Sequence, residues 1–137
     1  MIYLDSSVAL AHILAEDRRP GTAFWSDSLI ASRLLEYEIW TRLNNLRLEP
    51  SAKEAARMVV QRVGLLELIP EIAGRARDGF PVPVRTLDGL HLASAMWFIG
   101  QGIELQLATY DQRMQAAAKR LKIPLYRGLS GKQEEST

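Results

Sequence analysis

Cysteine is missing from this 137-residue chain, and its absence removes disulfide staples, thiolate zinc sites and cysteine nucleophiles together. Long hydrophobic runs are missing too. The longest, residues 8–15, carries His12 and falls far short of the roughly 18–20 apolar residues a membrane helix needs. No basic segment precedes an apolar one at Met1-Ile2-Tyr3-Leu4-Asp5, so no secretory signal is expected and the chain reads as soluble and cytoplasmic. A surplus of one charge is equally lacking: 17 Lys and Arg stand against 16 Asp and Glu, a formal +1. That balance argues against a strongly basic nucleic-acid clamp, whose field shows in the net charge.

What is present is a core-forming composition. Apolar residues at 47% and charged residues at 24% support one buried core and exclude disorder across the whole chain. Ile2-Tyr3-Leu4 is a β-prone run closed by Asp5-Ser6-Ser7, whose side chains suit the start of a helix. Residues 22–28 read as a short helix, 29–31 as a strand, and 33–48 as a helix with Leu35, Ile39, Leu43 and Leu46 on one stripe. A helix opened by Pro50-Ser51, with Ser51 and Glu54 in capping-box spacing, is expected to end at Gly64. A strand over 65–69, a helix over 71–77 and a loop over 79–85 with Pro81 and Pro83 follow. The pattern then predicts a helix over 87–99, a strand over 105–108, a helix over 112–121 and a last strand over 123–126. Such alternation predicts a three-layer α/β/α fold around a mainly parallel sheet of four to five short strands. One domain is expected over 1–127, followed by a loose polar tail over 128–137.

Parallel sheets of this kind bind ligands beyond the carboxyl ends of their strands. Asp5 ends the first strand, Asp111 follows the strand at 105–108, and Asp88 lies in the first turn of the helix after the proline loop. Each has a plainer role as a helix N-cap or dipole partner. Glu38 and Glu36 sit inside one helix about 200° apart, so only one can face the sheet end, and spacing does not say which. Taken together, several carboxylates at one strand edge repel one another unless a cation or a proton intervenes.

Four segments carry a family resemblance: Tyr3-Leu4-Asp5-Ser6-Ser7, Ser32-Arg33-Leu34-Leu35-Glu36-Tyr37-Glu38, Arg85-Thr86-Leu87-Asp88-Gly89-Leu90-His91-Leu92-Ala93, and Ala108-Thr109-Tyr110-Asp111-Gln112-Arg113. In order and spacing they resemble the acidic motifs of the PIN domain, and the chain is similar to the VapC toxins of toxin–antitoxin modules from residue 2 to about 127. The resemblance matches Asp5, Glu38, Asp88 and Asp111 to the family's catalytic, metal-binding carboxylates, choosing Glu38 over Glu36. Ser6 and Thr109 match its supporting polar positions. Gly89 departs from a frequent Ala, at a cost in helix propensity.

The resemblance implies a PIN-like fold and an endoribonuclease that uses Mg²⁺, with Mn²⁺ able to substitute, holding one ion or two. It also implies an RNA substrate such as tRNA or rRNA, a VapB-like antitoxin filling a groove near the first helices, and a homodimer. Tyr37, Trp40 and Trp25 belong to that region, with core packing as their plainer role. Arg85 and Arg113 are candidate RNA contacts, and Arg18, Arg19, Arg42, Arg47, Arg75 and Arg77 extend a possible rim. His91, three residues after Asp88, lies at a helical spacing from the site, where a packed histidine is the plainer role; His12 is a weaker candidate still.

Rival readings fit less well. A receiver domain wants paired acids after the first strand, and an aspartyl phosphatase wants an acid where Ser7 stands. A PIN-fold RNA-processing nuclease outside a toxin module, and a non-catalytic α/β binding module whose acids only cap helices, remain as alternatives. Setting the four matched acids aside leaves 17 basic residues against 12 acidic ones, a +5 surface around an acid pocket. RNA is therefore compatible with the near-zero total.

Overall fold

A computed structural model describes residues 1–47 and 50–129. Its strands are β1 (Ile2–Leu4), β2 (Leu29–Ser32), β3 (Val63–Leu66) and β4 (Gln106–Ala108). Its α-helices are α1 (Ser6–Ile13), α2 (Leu34–Leu46), α3 (Pro50–Arg62), α4 (Pro70–Arg77), α5 (Thr86–Gly100) and α6 (Gln112–Arg120). The strands pair in parallel in the order β3-β2-β1-β4. Every residue of β1 and β2 is buried, as expected where helices cover both faces of a parallel sheet. On one side α1, α2 and α3 pack together; on the other α5 lies on β2 and carries α4 and α6. Tyr3, Leu4, Leu35, Ile39, Leu43, Leu92, Leu107 and Met114 fill the interior between them. The α/β/α layering predicted from the alternating pattern is thus present, with the sheet at four strands.

Strand order decides where a site can form. The chain leaves β1 towards β2 on one side, while β4 returns to pair with β1 on the other. That makes β1/β4 the topological switch point, where the loops beyond the strand ends diverge and leave a crevice. Asp5 follows β1 there, and Thr109 to Asp111 follow β4.

Local boundaries differ from the sequence reading in several places. Helix α3 stops at Arg62, and Gly64 lies inside β3, paired with Ile30. The Arg62 guanidinium binds the backbone oxygens of Trp25 and Asp27 and pins the helix–strand junction. The ladder Leu29↔Val63 to Ser32↔Leu66 then takes the segment expected to finish the helix, and the strand ends before residues 67–69. Pro50 occupies the first helical position, where its missing N–H costs nothing; Ser51 is therefore inside α3, and Glu54 pairs with Arg57 at 3.1 Å instead of capping. Residues 22–26 form a 3₁₀ turn. The expected strand over 123–126 is a single parallel bridge, Leu107↔Leu125, because Pro124 has no N–H to extend the ladder. Leu129 is buried in the core, two residues past the expected end of the domain. The remainder of the predicted tail, from residue 130, lies outside the described residues.

Gly89 has a packing reason. A Cβ there would stand 3.1 Å from Phe80 Cε2, so the glycine lets the proline-loop ring lie on α5.

Leu92, fully buried in the middle of α5, joins that helix to the core. Leu92→Ala is expected to cost about 2–5 kcal/mol, read as a fall in the urea midpoint with an unchanged slope.

Candidate active site

The four acids arrive by four routes. Asp5 follows β1, and its N–H donates to Ala108 O at 3.1 Å, locking the two strand ends together. Its Oδ2 accepts from Ser7 Oγ at 2.6 Å, Thr109 Oγ1 at 2.8 Å and Ser7 N at 3.3 Å. Thr109 Oγ1 in turn accepts from Asp111 N at 3.0 Å, so one hydroxyl ties both acidic turns. Asp111 caps α6: its Oδ1 accepts from Arg113 N at 2.9 Å and Met114 N at 3.2 Å. Asp88 enters from the first turn of α5, and Glu38 from the interior of α2. All four line one cavity of about 500 Å³, together with Ser6, Arg42 and Arg85.

Glu38 is held by a buried polar column. Its Oε1 lies 2.6 Å from His91 Nε2, His91 Nδ1 lies 2.8 Å from the Tyr3 phenol oxygen, and that oxygen accepts from Ser32 N at 3.1 Å. Burial pushes the Tyr3 phenol far up, so it stays protonated. Nε2–H donates to Glu38 whether or not the imidazole is charged. When the ring is neutral, Nδ1 accepts the phenol proton; when it is charged, Nδ1–H donates to the phenol oxygen. Burial opposes the charge, but the Glu38 hydrogen bond and the Glu38, Asp5 and Asp88 carboxylates outweigh it and hold the His91 pKa above its ordinary value.

The opposite wall is bridged by one cation. Arg85 Nε donates to Asp88 Oδ2 at 3.1 Å, and its Nη2 donates to Asp111 Oδ2 at 2.7 Å. Even so, burial pushes the Asp88 carboxyl above its ordinary range; Arg85 opposes this, while Asp5 and Asp111 add to it. The cleft is short of positive charge. As the side chains stand, no three His, Asp or Glu among the described residues converge on one ion position. The donor set itself is all carboxylate oxygen, the chemistry Mg²⁺ and Mn²⁺ prefer. On donor type and charge deficit, the residues fit a hard divalent cation.

Asp5, Glu38, Asp88, Asp111, Ser6, Thr109 and Arg85 of the sequence reading thus gather at one strand edge. Glu36 instead pairs with Arg33 at 3.1 Å on the exposed side of α2. The serine that supports Asp5 is Ser7; Ser6 lines the cavity without a hydrogen bond to it. Ser7 was legible, because an N-cap side chain accepts from the second helical residue. Arg113 contributes its backbone N–H to Asp111, and its side chain is not part of the lining. Arg85 faces the acids instead of standing free. Of the other rim arginines only Arg42 lines the cavity; Arg18 lies over the Tyr110 ring, and Arg75 bonds Gly79 O. His12 packs on Trp25 outside the cleft. His91 and Tyr3 are the residues the sequence reading did not place, and only the spacing of His91 from Asp88 hinted at one of them.

Comparison with known proteins gives consistent matches. The PIN domain family model matches residues 2–120. Ribonuclease VapC46 of Mycobacterium tuberculosis is 32% identical over 124 residues, spanning 88% of this chain and 92% of that protein. Ribonuclease VapC35 of the same species is 30% identical over 129 residues, spanning 90% and 93%. In structure the chain resembles Mycobacterium tuberculosis VapC20, described as a sarcin-ricin loop cleaving toxin, with a TM-score of 0.66 at 20% identity over 85% of this chain and 95% of that one. It also resembles VapBC2 of Rickettsia felis bound to a promoter DNA fragment, with a TM-score of 0.66 at 11% identity over 92% and 98%. At those identities the structural likeness speaks for the fold alone.

Removing the phenol hydroxyl isolates the column's inner end. Tyr3→Phe leaves Ser32 N–H and His91 Nδ1 without their shared partner and is expected to cost about 1–3 kcal/mol, measured by urea unfolding of metal-free protein.

Proposed function

This chain belongs to the PIN-domain family, among the VapC ribonucleases, and on that premise we propose that it is a metal-dependent endoribonuclease acting as the toxin of a toxin–antitoxin pair. One observation carries the reading: four carboxylates from four separate segments line a single cleft at the switch point of a parallel sheet. Asp5, Glu38, Asp88 and Asp111 would hold Mg²⁺, with Mn²⁺ as a substitute. When bound, the cation supplies positive charge against the charge building on a scissile phosphate and lowers the pKa of an attacking water. The chain's own part is placement. Ser7 and Thr109 fix Asp5, His91 fixes Glu38, and the turn into α6 fixes Asp111. Arg42, on the same cleft, offers a positive charge to an RNA phosphate.

The proposed substrate is a structured RNA, tRNA or rRNA, cut in the cytoplasm to stop translation. The proposed partners are a second copy of this chain and a VapB-like antitoxin. The first helices, where Tyr37 on α2 is 63% exposed, are the proposed footing for the antitoxin.

Asp5→Asn and Asp88→Asn are each expected to lower RNA cleavage about a hundredfold or more with the fold retained, and EDTA is expected to abolish it in the wild type. The check is 5′-end mapping of RNA after brief induction, alongside circular dichroism of the purified variants. Wild-type cleavage by folded Asp5→Asn protein would falsify the assignment.

Asp88 also gives a stability test. Its folded pKa is raised, so the folded chain binds the proton more tightly and loses stability as pH rises from the unfolded value through the folded one. At neutral pH the ionised carboxylate therefore opposes folding. Metal-free Asp88→Asn is expected to melt no lower than the wild type at pH 7, and the gap should close towards pH 4.

A further inference from the structure

We propose that Arg85 is the resident counter-cation of the metal-free site and competes with the divalent ion for Asp111 Oδ2. The inference rests on the metal-dependent reading above and concerns how that site is regulated.

Asp111 has two carboxylate oxygens, and Oδ1 is committed to the N–H groups of Arg113 and Met114 that start α6. Giving it up would uncap the helix. Oδ2 is the oxygen left for a cation, and Arg85 Nη2 holds it at 2.7 Å. The same guanidinium reaches Asp88 Oδ2 through Nε at 3.1 Å. A divalent ion drawing Asp111 and Asp88 together must therefore displace the guanidinium or share its acceptors, and two cations on one carboxylate oxygen repel.

The two sides of the contact are unequal. The Arg85 side chain is 66% exposed, whereas those of Asp88 and Asp111 are 12% and 19% exposed. The carboxylates belong to the folded edge; the guanidinium hangs over it from the residue before α5, at the end of the proline loop. Exchange therefore moves one solvent-facing side chain and leaves the fold alone. Once released, the guanidinium remains tethered at the cleft with a planar fork suited to a phosphate. Metal binding presents Arg85 to RNA, and RNA that captures Arg85 clears Asp111 for metal. By linkage each must strengthen the other. Without either, the arm cancels part of the repulsion among the acids and stabilises the closed site.

The test is calorimetric titration of Mn²⁺ into metal-free wild type, Arg85→Gln and Arg85→Lys at fixed ionic strength, with melting curves in EDTA and in saturating Mn²⁺. Arg85→Gln is expected to bind Mn²⁺ about three- to tenfold more tightly than the wild type, the scale of losing two partly exposed ion pairs as competitors. Arg85→Lys, which keeps a charge but cannot fork across both acids, should also gain, by a smaller factor. In EDTA the Gln variant should melt below the wild type, and in saturating Mn²⁺ the difference should disappear. Equal or weaker Mn²⁺ binding by Arg85→Gln overturns the inference and leaves the metal-dependent reading standing. Absence of Mn²⁺ binding by all three proteins overturns both.

Discussion

Like charges gathered at one strand edge set the terms for everything around them. The pairing of β1 with β4 carries Asp5 and Asp111 to adjacent turns, and α5 and α2 add Asp88 and Glu38 to the same cleft. Unsupported, carboxylates so placed take up protons or move apart. The chain answers with at least one donor for each. Hydroxyls of Ser7 and Thr109 serve Asp5, an imidazole serves Glu38, backbone N–H groups serve Asp111, and one guanidinium spans Asp88 and Asp111. At Asp88 burial still pushes the carboxyl above its ordinary range, with Arg85 opposing and Asp5 and Asp111 adding to the rise.

The donors differ in how firmly they are fixed. The His91–Tyr3–Ser32 column is wholly interior and ties α5, β1 and β2 into a single polar strut. Such a network is costly to leave partly satisfied and rigid when complete, so Glu38 is aimed by the core itself. Arg85 is the reverse case, a long side chain in solvent whose contacts with the acids can exchange. A site built from a stiff inner wall and a movable outer cation keeps its geometry while its charge changes.

Much of this was legible in the residues because the signals were local. Asp5 stands directly after a β-prone run, Asp111 three residues after the end of one, and both precede helices, so both their capping role and their strand-edge position follow from sequence neighbours. Glu38 is different. Its separation from Glu36 depends on His91, 53 residues further on, and no periodicity within α2 contains that partner. Arg85 was legible only in half: the three-residue step to Asp88 is visible, whereas the contact with Asp111 exists only once β4 has docked beside β1. Gly64 misled for a related reason, since a ladder with β2 outweighed a local helix-stop signal.

The Leu107–Leu125 bridge bears on how copies of this chain behave when crowded. Leu107 N–H donates to Pro124 O, and Tyr126 N–H donates to Leu107 O, both at 2.8 Å, so the outer margin of β4 is already occupied. Pro124, with no N–H to give β4, keeps that pairing to the single bridge. At Leu107 a strand from another molecule finds both backbone groups already taken, which blunts the edge as a template for β-stacking. A single bridge too short to count as a strand thus covers the one residue of β4 it reaches.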